Sequence, residues 1–457
     1  MGGAGAPIAG LGGASGVAGS SASSNGGAPA AGSGGTPIDL GPPGPDGFAV
    51  QAQLASDLKA TAPTTVGIVR WSLDAPDLTE AHIDFGLDTT YGMTAPVELA
   101  LAGHRTVLVG MKPAKTYHFR VVASAGSQTY TSDDHTLTTG APLSPAVLAS
   151  FTVAAPERLD KGFFITSFWS VFTSDTPVWM SVIVDTDGDV VWWYRPSDYT
   201  DSGERGIARA RLSADSRDLW LVQVSNGGGP LRRVSIDTLE EQTYEDAWGS
   251  HDIAAVEGGT MAYIDYRETD CDSIFEIDRA GEITEIFEPT GVTHPTTSGC
   301  HGNAVRYSKK EDVYVYSDHT SDVVVVARDG TLEWKLSDLV SGGNTSWGGY
   351  QHGVQLLDGS LLVFANRAGG ELDTPQAIEF GLDGSVLKKF ASRAGGDFLG
   401  DVQRLPSGNT LIDYSFNFVM QVVDPTDSLV LEMTGTSGFG YVEFRERLYG
   451  EPLDIQQ

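Results

Sequence analysis

Three histidines recur at nearly equal intervals, each opening the same kind of segment. His251 begins HDIAAVEGG, His301 begins HGNAVRYSKKED and His352 begins HGVQLLDGS, at spacings of 50 and 51 residues. A fourth copy, GDVQRLPSGN, lacks the histidine and puts Gly400 in register, 48 residues further on. A neutral imidazole can act as a nucleophile, a general acid or base, or a metal ligand. Three that converge could transfer a group between substrates, or could hold zinc or iron. One histidine at a strand start is usually a structural residue satisfied by a neighbouring carbonyl. Three in register point to chemistry.

The register itself says what must position them. A period near fifty residues belongs to four-stranded blades of a β-propeller, whose equivalent positions face one axis. A second repeat, a strand–turn–strand unit of the type Val-Asp-x-x-Gly-x-Val, supports this. It is anchored at Gly188, Gly281, Gly330 and Gly384, with degenerate copies at Leu239 and Asp427. These six anchors predict six blades, the turns forming the outer hairpin of each and the histidine-led segments its inner strand. The expected fold is all-β, with a six-bladed propeller over 146–445.

Composition narrows the partners. There are 60 acidic against 29 basic residues, a formal net charge of −31. Such a surface repels nucleic acid and anionic membrane, so neither is an expected partner. No run of twenty apolar residues occurs, so no membrane span is expected. The two cysteines, Cys271 and Cys300, exclude a tetrathiolate zinc site. On neighbouring repeats they permit either free thiols or one disulfide, which would hold the His301 loop and imply an oxidising compartment. The Asp-rich turns lack the continuous ligand loop of a calcium site and read as hairpins.

Residues 1–46 are almost wholly Gly, Ala, Ser and Pro and should be a disordered tether. With no basic start and no continuous apolar run, the segment is not itself a signal peptide; any signal is expected upstream of residue 1. Tethers of this composition resemble those that follow the signal of bacterial surface proteins, which implies an extracytoplasmic location. Over 47–140 short alternating strands carry Gly110-Met111-Lys112-Pro113 leading into Tyr117-His-Phe-Arg-Val. This resembles the fibronectin type III signature, in which the tyrosine hydroxyl bonds back to the preceding turn. Trp71 matches that family's buried tryptophan. The resemblance implies a β-sandwich serving as a spacer or a modest binding module.

From about Ala146 to Thr436 the chain resembles the bacterial arylsulfate sulfotransferases. The matching pieces are His251-Asp252, His301-Gly-Asn303, Gln351-His352 through Asn366, and Gln403 through Asn409. The resemblance implies a six-bladed propeller that moves a sulfuryl group from an aryl sulfate donor to a phenolic acceptor, independently of PAPS and with no cofactor or metal. By the same resemblance His352 is the nucleophile that forms a sulfohistidine. His251, His301 and Asn303 would then bond the sulfuryl oxygens, and one of the histidines would protonate the departing phenoxide. Trp347 and Tyr350, just before His352 on a Gly-rich loop, would line the phenol-binding mouth. Asp252 is expected to orient backbone or His251, and Asn409 to be a turn residue.

Two departures stand out. The family's sulfuryl-binding arginine, in a Ser-x-Arg-His-like stretch, is replaced by Ser317-Asp318-His319. An aspartate there would repel sulfate, so either Arg367, Arg404 or Arg267 substitutes, or the substrate differs, or activity is lost. Gly353 stands where the family often has Asp. The rival readings are a non-catalytic binding propeller displayed at the cell surface, and a three-histidine metal-dependent enzyme.

Overall fold

The computed structural model describes residues 40–169, 179–196, 206–213, 215–224, 228–266, 271–293, 300–319, 321–340, 350–367, 375–392 and 398–450. Most of the expected tether lies outside the described residues, as do Trp347 and Arg267. Among those described, six blades surround an axis.

Both ends of the propeller close the ring. In the first blade Phe163–Trp169, Met180–Asp185 and Val190–Tyr194 receive their innermost strand from the C-terminal pieces Gly438–Phe439 and Glu443–Arg445. In the last, Asp401–Arg404, Thr410–Tyr414, Val419–Val423 and Leu429–Gly435 gain an outer fifth strand from Leu148–Val153. The second blade runs Gly206–Leu212, Asp218–Val224 and Gly229–Ser235. Its outer strand is the start of Glu241–Ala255, whose far end becomes the inner strand of the third blade. Blades four and five begin with Gly302–Ser308 and Gln351–Leu357.

All six sequence anchors fall in the hairpin joining the third and fourth strands of a blade, and all six take the left-handed backbone: Gly188, Gly281, Gly330 and Gly384 at φ 80 to 93°, Leu239 at 50° and Asp427 at 68°. Glycine enters that region without steric cost, which is why the turn repeat is visible in sequence. Leu239 and Asp427 are the strained copies.

Alternation within each strand packs the blades against one another. In the fourth blade Val313, Val315, Val323 and Val325 face the fifth, among Val354, Leu361 and Val363. Tyr314, Tyr316, Val324 and Val326 face the third, among Ala262, Ile264 and Ile274. A strand buried on both faces needs a continuous apolar run, and VVVVA at Val323–Ala327 is one.

Ahead of the propeller, two sheets enclose Trp71, Ile83, Phe85, Met111, Tyr117 and Phe119. The Tyr117 hydroxyl accepts the Lys112 N–H at 2.8 Å, closing the turn. A spacer would touch its neighbour lightly; this sandwich is seated on the first two blades. Ile68 and Val109 join a core with Ile183, Val191 and Trp192. The Lys112 ammonium sits among Asp185, Asp187 and Asp189 at 2.7, 3.0 and 2.7 Å. The most Asp-rich hairpin is thus occupied by the chain's own cation.

Candidate active site

Each inner strand reaches the mouth through a local irregularity. The pairing register shifts between Ser250 and Ile253, between Gly302 and Ala304, and between Gln351 and Val354. Bulges of this kind re-aim side chains at strand ends. His251 itself is left-handed at φ 56°, as is Tyr350 at 54°.

The result is convergence. The rings of His251 and His301 meet edge-on at 4.7 Å, and His251 and His352 lie 6.3 Å apart. A fourth histidine joins them: His319 is 5.3 Å from His301 and 5.7 Å from His352. Tyr350 stands 5.0 Å from His319, and Phe398 6.2 Å from His352 with Phe416 behind it. Phe398 is 37% exposed, an aromatic face at the rim. Among the described residues, no three His, Cys, Asp or Glu side chains are arranged to hold a metal ion.

His352 is oriented by a defined chain of bonds. Asn366 donates its amide N–H to the Leu399 carbonyl at 2.7 Å, which leaves its oxygen facing His352 Nδ1 at 2.6 Å. Nδ1 must therefore carry the proton, which places the lone pair on Nε2. Burial, reinforced by His319 and His301, holds the His352 pKa well below 6.5 against the opposing bonds to Asn366 and to the Tyr350 backbone. His251 is depressed likewise by burial and by the three other imidazoles, with Ser250 Oγ at 2.6 Å from its Nδ1. His301 is lowered by burial, with Asp318 pulling the other way. Burial thus holds His251 and His352 neutral, a state in which imidazole can attack an electrophile.

Asn303 is held by the strand that carries His352, and its side-chain oxygen is buried with no partner among the described residues. It is fully buried and gives its amide N–H to the Gln351 carbonyl at 3.0 Å, tying the fourth blade to the fifth. Gln351 is also structural, donating to the carbonyls of Asp318 and Asp322 at 2.7 and 3.0 Å. It thereby pins the turn that carries His319, whose own N–H bonds the His301 carbonyl at 2.7 Å. The Asp318 carboxylate takes the Thr293 hydroxyl at 2.6 Å and the His301 N–H at 3.3 Å. Both reach the cluster: His319 packs its ring beside His301 and His352, while Asp318 acts on His301 electrostatically.

The candidate arginines separate. Arg367 stacks on Tyr350 at 3.8 Å and belongs to the mouth. Arg404 is bound to Glu379 at 2.5 Å and to the Gly408 carbonyl at 3.3 Å. It lies at the other end of its strand from Gly400, roughly 13 Å along the chain at strand rise. That pairing removes it from the histidine cluster.

One residue below the histidines the chemistry changes. Asp252 accepts Arg209 Nε at 2.6 Å and the amides of Ile253 and Val305. It thus orients backbone and Arg209 rather than His251. Asp401 accepts Arg209 at 2.7 Å and Arg306 through both oxygens at 2.7 Å. A Cβ on Gly353 would fall 2.6 Å from the Asp401 Cα, so an aspartate there would collide with the carboxylate supplied by the next blade. The Arg209 guanidinium lies over Tyr441, whose hydroxyl bonds the Asn303 carbonyl and whose ring is 6.4 Å from His352.

Missing from the sequence-derived site were His319, Asn366 and Phe398. Asn366 had a usable signal: pairing outward from the Asp358-Gly359 turn sets it opposite Tyr350, beside His352.

No protein-family model matches the chain, and no curated protein matches it. Solved structures do show likeness. TolB from Acinetobacter baumannii is 9% identical, over 74% of this chain and 80% of that one, with a TM-score of 0.45. A streptogramin B lyase is 11% identical over 65% of this chain and 98% of that one, TM-score 0.41. A catalytically inactive virginiamycin B lyase from Staphylococcus aureus, solved with quinupristin, is 10% identical over 66% and 88%, TM-score 0.39.

Proposed function

We propose that the protein is an aryl sulfotransferase of the arylsulfate sulfotransferase type, with His352 as its nucleophile. The observation that carries the reading is the Leu399–Asn366–His352 relay, which leaves a neutral Nε2 lone pair among three further imidazoles. In the first half-reaction Nε2 attacks the sulfur of an aryl sulfate and the S–O bond to the aryl group breaks. The phenoxide leaves with a proton from His301, the imidazole that Asp318 pulls back toward protonation. In the second, a phenol oxygen attacks the sulfohistidine sulfur, the S–N bond breaks, and the phenol proton returns to the same base. Splitting one transfer into two is the benefit of a nucleophile that also leaves readily.

Tyr350, Phe398 and Phe416 supply aromatic faces for the aryl groups. His319 and Arg367 supply the mouth's hydrogen-bond donors for the sulfuryl oxygens. Asn303 acts through the Gln351 carbonyl, holding the strand that carries His352. The Cys271–Cys300 disulfide, with Cα atoms 5.1 Å apart, supports an extracytoplasmic location.

The test is p-nitrophenyl sulfate with and without phenol. Phenol-dependent nitrophenol release that survives chelation supports the transferase. Loss on chelation, restored by zinc or iron, indicates the metal enzyme. No turnover of any aryl sulfate indicates a binding propeller.

A further inference from the structure

The disulfide joins the residues immediately before Asp272 and His301. Cys271 precedes the third strand of blade three, Ser273–Ile277, while Cys300 leads into the inner strand of blade four. Bonding them brings a buried carboxylate against an imidazole of the cluster. Asp272 Oδ2 accepts the Gly302 N–H at 2.9 Å and lies 3.8 Å from His301 Nδ1. The Asp272 carbonyl accepts the Tyr316 hydroxyl at 2.6 Å, fixing the backbone on its other side. At 3.8 Å the two groups are not yet hydrogen-bonded; catalytic hydrogen bonds are often long before substrate binds and tighten in the complex.

Resting on the transferase reading, we propose that Asp272 is the positioning residue of His301, that the pair forms the proton carrier of the reaction, and that the Cys271–Cys300 bond is its clamp. With one proton between Asp272 and Nδ1 and another on Nε2, the pair gives the Nε2 proton to the phenoxide oxygen as the S–O bond breaks. The shared proton then settles on Nδ1. When the acceptor phenol attacks, its proton returns to Nε2 and the Nδ1 proton moves back toward Asp272, so each cycle ends as it began.

The surroundings suit the task. Burial pushes the Asp272 carboxyl up to about 7, with the Gly302 N–H opposing and Asp318 and Asp265 adding to the rise. His301 is also flanked by His251 and His319, and the Tyr316 hydroxyl is committed to the Asp272 carbonyl. Coupled groups of this kind titrate as a pair.

The experiment compares two donors on the full-length oxidised protein. Phenyl sulfate needs its leaving oxygen protonated, whereas p-nitrophenyl sulfate releases a stable phenoxide unaided. With no acceptor present, Asp272→Asn should slow the first-turnover release of phenol from phenyl sulfate by about 10²-fold or more and change the nitrophenolate burst from p-nitrophenyl sulfate by less than about 3-fold. Retained activity on the second donor shows that the variant is folded. Reducing the disulfide, or the paired substitutions Cys271→Ser and Cys300→Ser, should reproduce the same donor-dependent loss. Equal losses on both donors, or none on either, overturn the proposal. If the wild type turns over neither donor, the transferase reading itself falls. The Asp272–His301 contact is then decided by NMR titration of His301, and an unchanged curve in Asp272→Asn overturns it.

Discussion

Two layers of the propeller axis, one residue apart along the inner strands, use buried polarity in opposite ways. In the upper layer His251, His301, His319 and His352 sit together, and the depressed pKa values of the first, second and fourth keep charge out. In the lower, Arg209 pairs with Asp252 and Asp401, and Arg306 with Asp401. Strand geometry puts His251 beside Asp252, and Gly400 beside Asp401. The difference teaches that burial alone does not make a group reactive. A buried charge bonded on every side is committed to holding the blades; a buried imidazole with one nitrogen fixed and the other open is available.

The largest expected effect comes from breaking the lower layer. Asp401→Ala strands Arg209 and Arg306, and removing one partner of a buried ion pair costs about 3–5 kcal/mol. Urea unfolding should show that loss, whereas His352→Gln should shift stability by no more than about 1 kcal/mol while abolishing sulfuryl transfer. A similar stability cost from both would erase the contrast between the layers. Next, Asn366→Ala frees the His352 tautomer and should slow transfer by about 10- to 100-fold, read as kcat at saturating donor, at a stability cost of about 1–3 kcal/mol for the stranded Leu399 carbonyl and His352 N–H.

The pH dependence sharpens the comparison further. His251 and His352 bind protons only well below 6.5 when folded, but near 6.5 when unfolded. Their contribution to stability is therefore present above pH 6.5 and is lost as pH falls below it. The urea midpoint of wild type should drop more than that of His251→Gln between about pH 7 and 5. The smallest effect is expected at the periphery: Lys112→Met should cost about 1 kcal/mol, because its three aspartates are partly hydrated. Thermal unfolding would show it as a loosened sandwich–propeller junction.

How much was legible depended on whether a feature is local. The blade hairpins were, because a left-handed turn selects glycine wherever strain is not tolerated. The histidines at strand starts were, because the blade repeat keeps them in register. The Tyr117 corner was also legible, its hydroxyl bonding only five residues back. His319 was harder to place: that its ring packs beside two other histidines depends on the Gln351 bonds from the next blade, which fix the turn carrying it. Asn303 looked like a site donor because nothing in its motif reveals the Gln351 carbonyl that takes its N–H. Arg404 shared a strand with the axis but stood too far along it. The seating of the sandwich on the propeller rests on contacts such as Lys112 with Asp185, more than seventy residues apart.

The central claim is the open nitrogen of His352. Protein incubated with ³⁵S-labelled p-nitrophenyl sulfate and no acceptor, then digested and mapped, tests it most directly. The account predicts one sulfuryl group on the peptide carrying His352, discharged when phenol is added and absent from His352→Gln. Label on another residue, or phenol-dependent nitrophenol release with no adduct at His352, would contradict it.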